Sequence, residues 1–289
     1  MYAIGDTVEN FSADACFPYE GPFYLYWGYP YWCIACALND IWGPQYFTIN
    51  QCINAASPGD TILVPPGVHS YVEDELSGAV IYIWNHGPAE SHFGDLTIEC
   101  HDPYETGLPC ILDGGGGSEA LFPRRGIFIG QNTYRSINVT IDGFDIINGE
   151  SGIYGQGAGL LLIENQAYEG DGINLTIKNC TFRFGHTFNP NIGEAGGIMA
   201  DGGPHTTLTL ENVIVENNTI GYATNQYPGS MFGGGWEWEN DGPTVYMSNT
   251  MMCNNYKYQS LTAMDLYIKD GATVVDLGGN CIGVCEGCE

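Results

Sequence analysis

Three sets of residues in this 289-residue chain have types and spacings that could do chemistry. Lys178 and Arg183, two of only seven basic residues, sit on one segment either side of Asn179. Proton abstraction beside a sugar carboxylate needs a neutral base of depressed pKa and a cation against the carboxylate. These two are therefore the candidate catalytic residues if the chain acts on polysaccharide, although they read more simply as surface charges in an acidic field. The second set is carboxylate: Glu164, Asp201, Glu239 and Asp241 fall near the ends of successive β-like segments. Strands stacked ~4.8 Å apart would set such groups against one another unless they shared a cation, and oxygen-only ligands suit calcium. A solvated acidic edge is the plainer alternative. The third set is thiol. Cys33 with Cys36, and Cys281 with Cys285 and Cys288, have the close pairing of a split zinc site. Together with Cys100, Cys110 and Cys253 they read better as disulfide candidates. The count of 11 cysteines is odd, so one thiol is unmatched within the chain.

Composition decides between these readings. There are 34 acidic against 7 basic residues, a formal charge of −27, yet charged residues are only 14 % and apolar residues 44 % of the chain. That combination folds rather than staying disordered. So few Lys and Arg cannot neutralise phosphates, which excludes nucleic acid and disfavours anionic polysaccharide as partners. Cations that screen self-repulsion are expected instead, calcium among them, and no organic cofactor. Cysteine usage points to an oxidising compartment, hence to a secreted or cell-surface protein. Sequons at Asn10, Asn138, Asn174, Asn179 and Asn217 agree with this. The opening "MYAIGDTVEN" lacks a basic and an apolar region, so a signal peptide, if there was one, is missing from this numbering. No stretch is apolar for the roughly 18 residues of a spanning helix.

The elements that must position these residues emerge from an internal repeat. "VTIDGFDIINGESG" from Val139, "LTIKNCTFRFGHTF" from Leu175, "LTLENVIVENNTIG" from Leu208 and "VYMSNTMMCNNYKY" from Val245 align, with a degraded "VVDLGGNCIGV" from Val274. Each opens with the apolar–polar alternation of a half-buried strand. A second strand follows after a tight bend, and a third after a longer loop, in "AGLLLIEN", "GGIMADG", "GGGWEWEN" and "MDLYIKD". Three short strands per period, Gly-rich corners and no helical periodicity predict an all-β chain, coiled as a right-handed parallel β-helix whose core is continuous only when coils stack. The first bend aligns Gly143, Asn179, Asn212, Asn249 and Gly278, the residues that best tolerate a left-handed backbone. Asn179, Asn212 and Asn249 are expected to form a stacked amide ladder. A second, less perfect column aligns Asn148, Phe184, Asn217 and Asn254. Asn138 and Asn174 precede inward-pointing residues and so should point outward and carry glycans, with Asn10 and Asn217 further candidates. Asn179 should not, because its amide belongs to the ladder.

"INQCINAASPGDTILVPPGVHSY", residues 49–71, resembles the opening coil of right-handed parallel β-helix proteins of the pectin-lyase-like group. The "LTIKNCTF…GGI" coils look like polymorphic-outer-membrane-protein-type repeats, and "DLGGNCI" is similar to their closing coil. The resemblance covers roughly 47–283 and implies the fold. It implies no activity, because the Asn-Thr-Asp, Asp-Asp, Gly-His-Gly and Arg-Ile-Lys clusters of polygalacturonases and the Arg-rich stretch of pectate lyases do not occur. Function must come from a site.

That divides the chain into an N-terminal segment, 1–46, a β-helix, 47–283, and a Cys-rich tail, 284–289. The N-terminal segment holds "YEGPFYLYWGYPYWCIAC", with Tyr24, Tyr26, Trp27, Tyr29, Tyr31 and Trp32. Such a run either caps an open strand edge or meets another subunit. The expectation is a non-enzymatic, secreted structural protein that forms an extracellular filament or surface coat by head-to-tail self-association, or acts in adhesion. Two alternatives stand beside it: a polysaccharide lyase or hydrolase, and a carbohydrate-binding module that takes a cell-surface glycan.

Overall fold

The computed structural model describes residues 16–18, 31–33, 37–38, 41–42, 48–70, 78–86, 95–102, 106–115, 124–132, 136–151, 157–164, 172–187, 195–220, 229–233, 241–257, 265–269 and 271–286. The described residues form a parallel β-solenoid. Its largest sheet runs from Thr61–Val64 through Asp95–Cys100, Ile137–Asp142, Ile173–Lys178, Thr207–Glu211 and Thr244–Ser248 to Thr273–Asp276, all parallel. A second parallel sheet stacks Gly67–Ser70, Cys110–Asp113, Phe144–Ile147, Thr181–Arg183, Ile214–Glu216, Met251–Cys253 and Cys281–Ile282. The third stacks Ala79–His86, Arg125–Asn132, Leu160–Glu164, Ile198–Asp201, Ser230–Gly233 and Leu266–Ile268. A fourth sheet, of two-residue strands such as His186–Thr187 and Thr219–Ile220, turns the corner between the second and third. Three strands per period was therefore an undercount for these coils.

Alternation along each strand builds the core. In Ile173–Lys178 the residues Ile173, Leu175 and Ile177 are buried, while Asn174, Thr176 and Lys178 face outward. Register then stacks like on like, Val139 on Leu175 on Leu208 on Val245, and the second sheet adds Phe144, Phe182 and Val215. Gly126, Gly159 and Gly197 lie where the third sheet begins, in the space that Ile146, Phe182 and Val215 occupy from the facing sheet, so a Cβ there would strike the core. The third strand of the fifth coil is Ser230–Gly233, which ends on the first glycine of the "GGGWEWEN" run that sequence favoured. The corner column continues at Gly229, and the later glycines divert a reading that follows glycine alone.

The bends take left-handed backbone throughout. Gly143, Asn179, Asn212, Asn249 and Gly278 have φ of 85, 53, 54, 48 and 102°. Their backbone N–H groups carry the ladder around the corner, from Asn179 to Glu211 O at 2.9 Å, Asn212 to Ser248 O at 3.0 Å and Asn249 to Gly278 O at 2.9 Å. The coil before them departs from the pattern. Its corner is an excursion between Cys100 and Cys110, closed by a disulfide of those two residues, which hides this coil from a reading keyed to Gly and Asn.

The two ends differ. At the N-terminal end a helix, Ile49–Ala55, places Cys52 and Ile53 on the core, although the sequence shows no helical period. Seven residues are too few to display one, and Thr48 starts the helix by accepting from the Gln51 N–H. Asn50 then terminates the third sheet: its Oδ1 accepts from Tyr82 N at 2.9 Å and its Nδ2 donates to Ala79 O at 3.3 Å, as a further strand would. Ala37–Leu38 covers the first sheet edge antiparallel to Thr61–Val64. At the other end Leu266–Ile268, Thr273–Asp276 and Cys281–Ile282 are the last strands of their sheets, beside exposed Ile268, Leu277, Ile282 and Val284.

Candidate functional site

The outward faces of the first two sheets carry the charged candidates. Register aligns Glu99, Asp142, Lys178 and Glu211 across four coils, so Lys178 is the cation of an acidic column. Its Nζ lies 3.0 Å from Asp142 Oδ2, and this hydrogen bond, with the charge of Asp142, holds the ammonium above its ordinary pKa. A lysine held protonated is a poor general base. Arg183 pairs with Asp145 of the preceding coil and stands in register with Glu216 of the next. Arg183 Nε and Asp145 Oδ1 are buried with no hydrogen-bond partner. Each candidate catalytic residue is thus engaged with a carboxylate one coil below.

Of the four calcium-candidate carboxylates, the structure gives the register of two. Asp201 pairs with Ile163 and Gly233, whereas Glu164 pairs with Gln131, one residue out of step along the strand. Asp241 is exposed just before Thr244–Ser248, and Glu239 lies outside the described residues. Among the described residues no group of three or more His, Cys, Asp or Glu is placed to hold a metal ion.

Side-chain ladders run along the solenoid instead. On the first sheet Asn138 Nδ2 donates to Asp95 Oδ1 at 2.6 Å, Asn174 Nδ2 to Asn138 Oδ1 at 2.8 Å, and Thr207 Oγ1 to Asn174 Oδ1 at 2.7 Å. At the corner Asn179 Nδ2 donates to Asp142 Oδ1 at 2.7 Å and Asn212 Nδ2 to Asn179 Oδ1 at 3.1 Å. Asn138 faces outward, yet the nitrogens of Asn138 and Asn174 that would bear glycans are ladder donors, as that of Asn179 is. Outward orientation alone therefore does not separate these three sequons. Asn217 is half-buried in left-handed backbone, and Asn10 lies outside the described residues.

A third ladder, which sequence reasoning missed, is fully buried. Asn218 and Asn255 sit one residue past the left-handed Asn217 and Asn254. Asn218 Nδ2 donates to Asn255 Oδ1 at 2.9 Å, and Asn255 Nδ2 to Asp265 Oδ1 at 2.9 Å. The doubled Asn-Asn at one register in successive coils was the signal: the first supplies the turn, the second the buried amide. The second column is left-handed throughout, at 51° for Asn148, 59° for Phe184, 54° for Asn217 and 55° for Asn254.

Of the cysteines, Cys100 joins Cys110 and Cys281 joins Cys285, while Cys52 and Cys253 are also disulfide-bonded. Among the described residues Cys180 is a free thiol, buried against Phe144 N, and burial pushes it up to about 12. It is inert as a nucleophile at neutral pH. Tyr31–Cys33 pairs antiparallel with Cys16–Pro18, Cys16 opposite Cys33. Tyr24, Tyr26, Trp27, Tyr29, Cys36 and Cys288 lie outside the described residues.

No helix among the described residues is long and apolar enough to cross a membrane. No protein-family model matches this chain, nor does any curated protein or solved structure.

Proposed function

We propose that this chain is a secreted, non-enzymatic structural protein that assembles end to end into an extracellular filament or surface coat, or serves in adhesion. The observation that carries this reading is the inequality of the two ends. Among the described residues one is closed by the helix Ile49–Ala55, while at the other the last strands of three parallel sheets have no further strand beside them, with exposed Ile268, Leu277 and Ile282. Unprotected edges template pairing with another chain, and a contact between unlike ends does not close on itself unless the rotation allows, so it propagates. In this reading the aromatic stretch 19–36 of one copy meets the open end of the next. The charge of −27 opposes that contact, so salt or calcium that screens it favours assembly. The lyase or hydrolase alternative is weakened by the engagement of Lys178 and Arg183 with Asp142 and Asp145. Electron microscopy of the native material tests the proposal: rods joined end to end support it, and dispersed single particles at all concentrations refute it.

A further inference from the structure

Phe184 breaks a rule that its column otherwise keeps. Asn148, Asn217 and Asn254 hold the same left-handed bend in neighbouring coils, where asparagine is tolerated and a bulky aromatic is an outlier. The Phe184 ring is not compensated by burial, since 51 % of the residue is exposed. An asparagine there would relieve the backbone, so the phenyl ring stands against local preference, and such outliers cluster at functional sites.

The surroundings narrow what would use it. The Arg183 guanidinium lies over the Phe184 ring, 5.7 Å from its centroid, and is also paired with Asp145. The arginine side chain stays 38 % exposed, and one salt bridge leaves several of its five N–H donors over. Two coils on, Tyr256 is a second exposed aromatic, on the adjoining strand Tyr256–Lys257, and its hydroxyl donates to Asn254 Oδ1 at 3.1 Å. Two coils separate the two residues by on the order of 10 Å along the solenoid, and Tyr256, in register with Thr219 and His186, stands two residues past the Phe184 column, so they lie on a diagonal.

We infer that Phe184 and Tyr256 form a platform for a neutral, extended oligosaccharide running obliquely across the solenoid coils, with Arg183 and Asn254 meeting its hydroxyls. The apolar face of a pyranose covers an aromatic ring while its edge remains wet, which suits a half-exposed ring with donors and acceptors at its rim. An anionic glycan is disfavoured, because Asp145 and Glu216 outnumber Arg183 at the site. A cationic partner would approach a ring that already holds a guanidinium. This inference does not depend on end-to-end assembly, since the platform is on the side of the rod.

The test is isothermal titration of the full chain with cellohexaose, laminarihexaose, mannohexaose and chitohexaose, against hexagalacturonate and a Lys-rich peptide. At least one neutral hexasaccharide should bind, and Phe184→Asn should weaken it at least tenfold while raising the thermal unfolding midpoint. Tyr256→Ala should weaken binding of the hexasaccharide more than of the matching disaccharide. Binding of none of the neutral sugars, binding only of the charged probes, or unchanged affinity in a folded Phe184→Asn variant would overturn the inference.

Discussion

Asn218 and Asn255 are joined side chain to side chain at 2.9 Å in the fully buried corner between the second and third sheets. Asn218 Oδ1 also accepts from Gly185 N at 2.8 Å and its Nδ2 donates to Phe182 O, so one amide serves three coils. Truncating it strands a backbone N–H and a carbonyl that water cannot reach. Asn218→Ala should destabilise the chain by about 2–3 kcal/mol, read as a lowered denaturation midpoint. A loss below about 0.5 kcal/mol would mean that the amide is not a structural tie.

Asn212 tests the left-handed corner separately from the buried ladder, because its side chain is exposed and its φ is 54°. Asn212→Gly should change stability little, since glycine adopts this conformation freely. Asn212→Val should cost about 1–2 kcal/mol. Equal effects of the two substitutions in urea unfolding would contradict a backbone origin.

His69 is buried, its Nε2 donating to Pro65 O at 2.8 Å, and burial holds its pKa below the ordinary 6.5. The unfolded chain therefore binds a proton that the folded chain resists. Stability from this site is fully present above pH 6.5 and falls as pH drops below it. His69→Gln keeps a donor toward Pro65 and should shrink the difference in unfolding midpoint between about pH 7.5 and 5.5. His186 shifts in the same direction through burial, so a residual slope remains in the variant.

Lys178→Ala and Arg183→Ala bear on the enzymatic alternative. Lys178 and Asp142 form a half-exposed pair, so Lys178→Ala should cost no more than about 1 kcal/mol, while Arg183→Ala leaves the largely buried Asp145 without its cation and should cost more. The wild type should release no reducing sugar from acidic or neutral glycans. Release that either substitution abolished would establish the lyase or hydrolase reading.

How much of this was legible in the sequence follows from what each feature needs. The coils from Val139 onward announce themselves because a half-buried strand must alternate and a one-residue corner must be Gly or Asn. The coil built on Thr61–Val64, with a Pro-Pro bend at that corner, was legible only through the resemblance of residues 49–71 to an opening coil, and the coil on Asp95–Cys100 was hidden by its disulfide-closed loop. Of the calcium candidates only the register of two is seen: Asp201 pairs with Ile163 while Glu164 pairs with Gln131, a single-residue slip that sequence spacing cannot see. The buried ladder escaped because polar residues are expected outside, although Asn217–Asn218 and Asn254–Asn255 had marked it. Phe184 was visible only as an imperfection in a column. Its backbone angle and its contact with Arg183 make that imperfection informative.

The central claim is end-to-end assembly through the aromatic stretch, and light scattering of the wild type and of a Trp27→Ala, Trp32→Ala double variant tests it most directly. A Trp lost from an interface hot spot costs ~2 kcal/mol or more, enough to shift assembly more than tenfold. The wild type should grow in size with concentration and ionic strength, and shrink with EDTA if calcium screens the carboxylates. The double variant should scatter as a folded monomer, with the β-sheet circular dichroism of the wild type. A wild type that is monomeric at every ionic strength, or a double variant that unfolds instead of dissociating, would contradict the account and leave the stretch as a cap on its own solenoid.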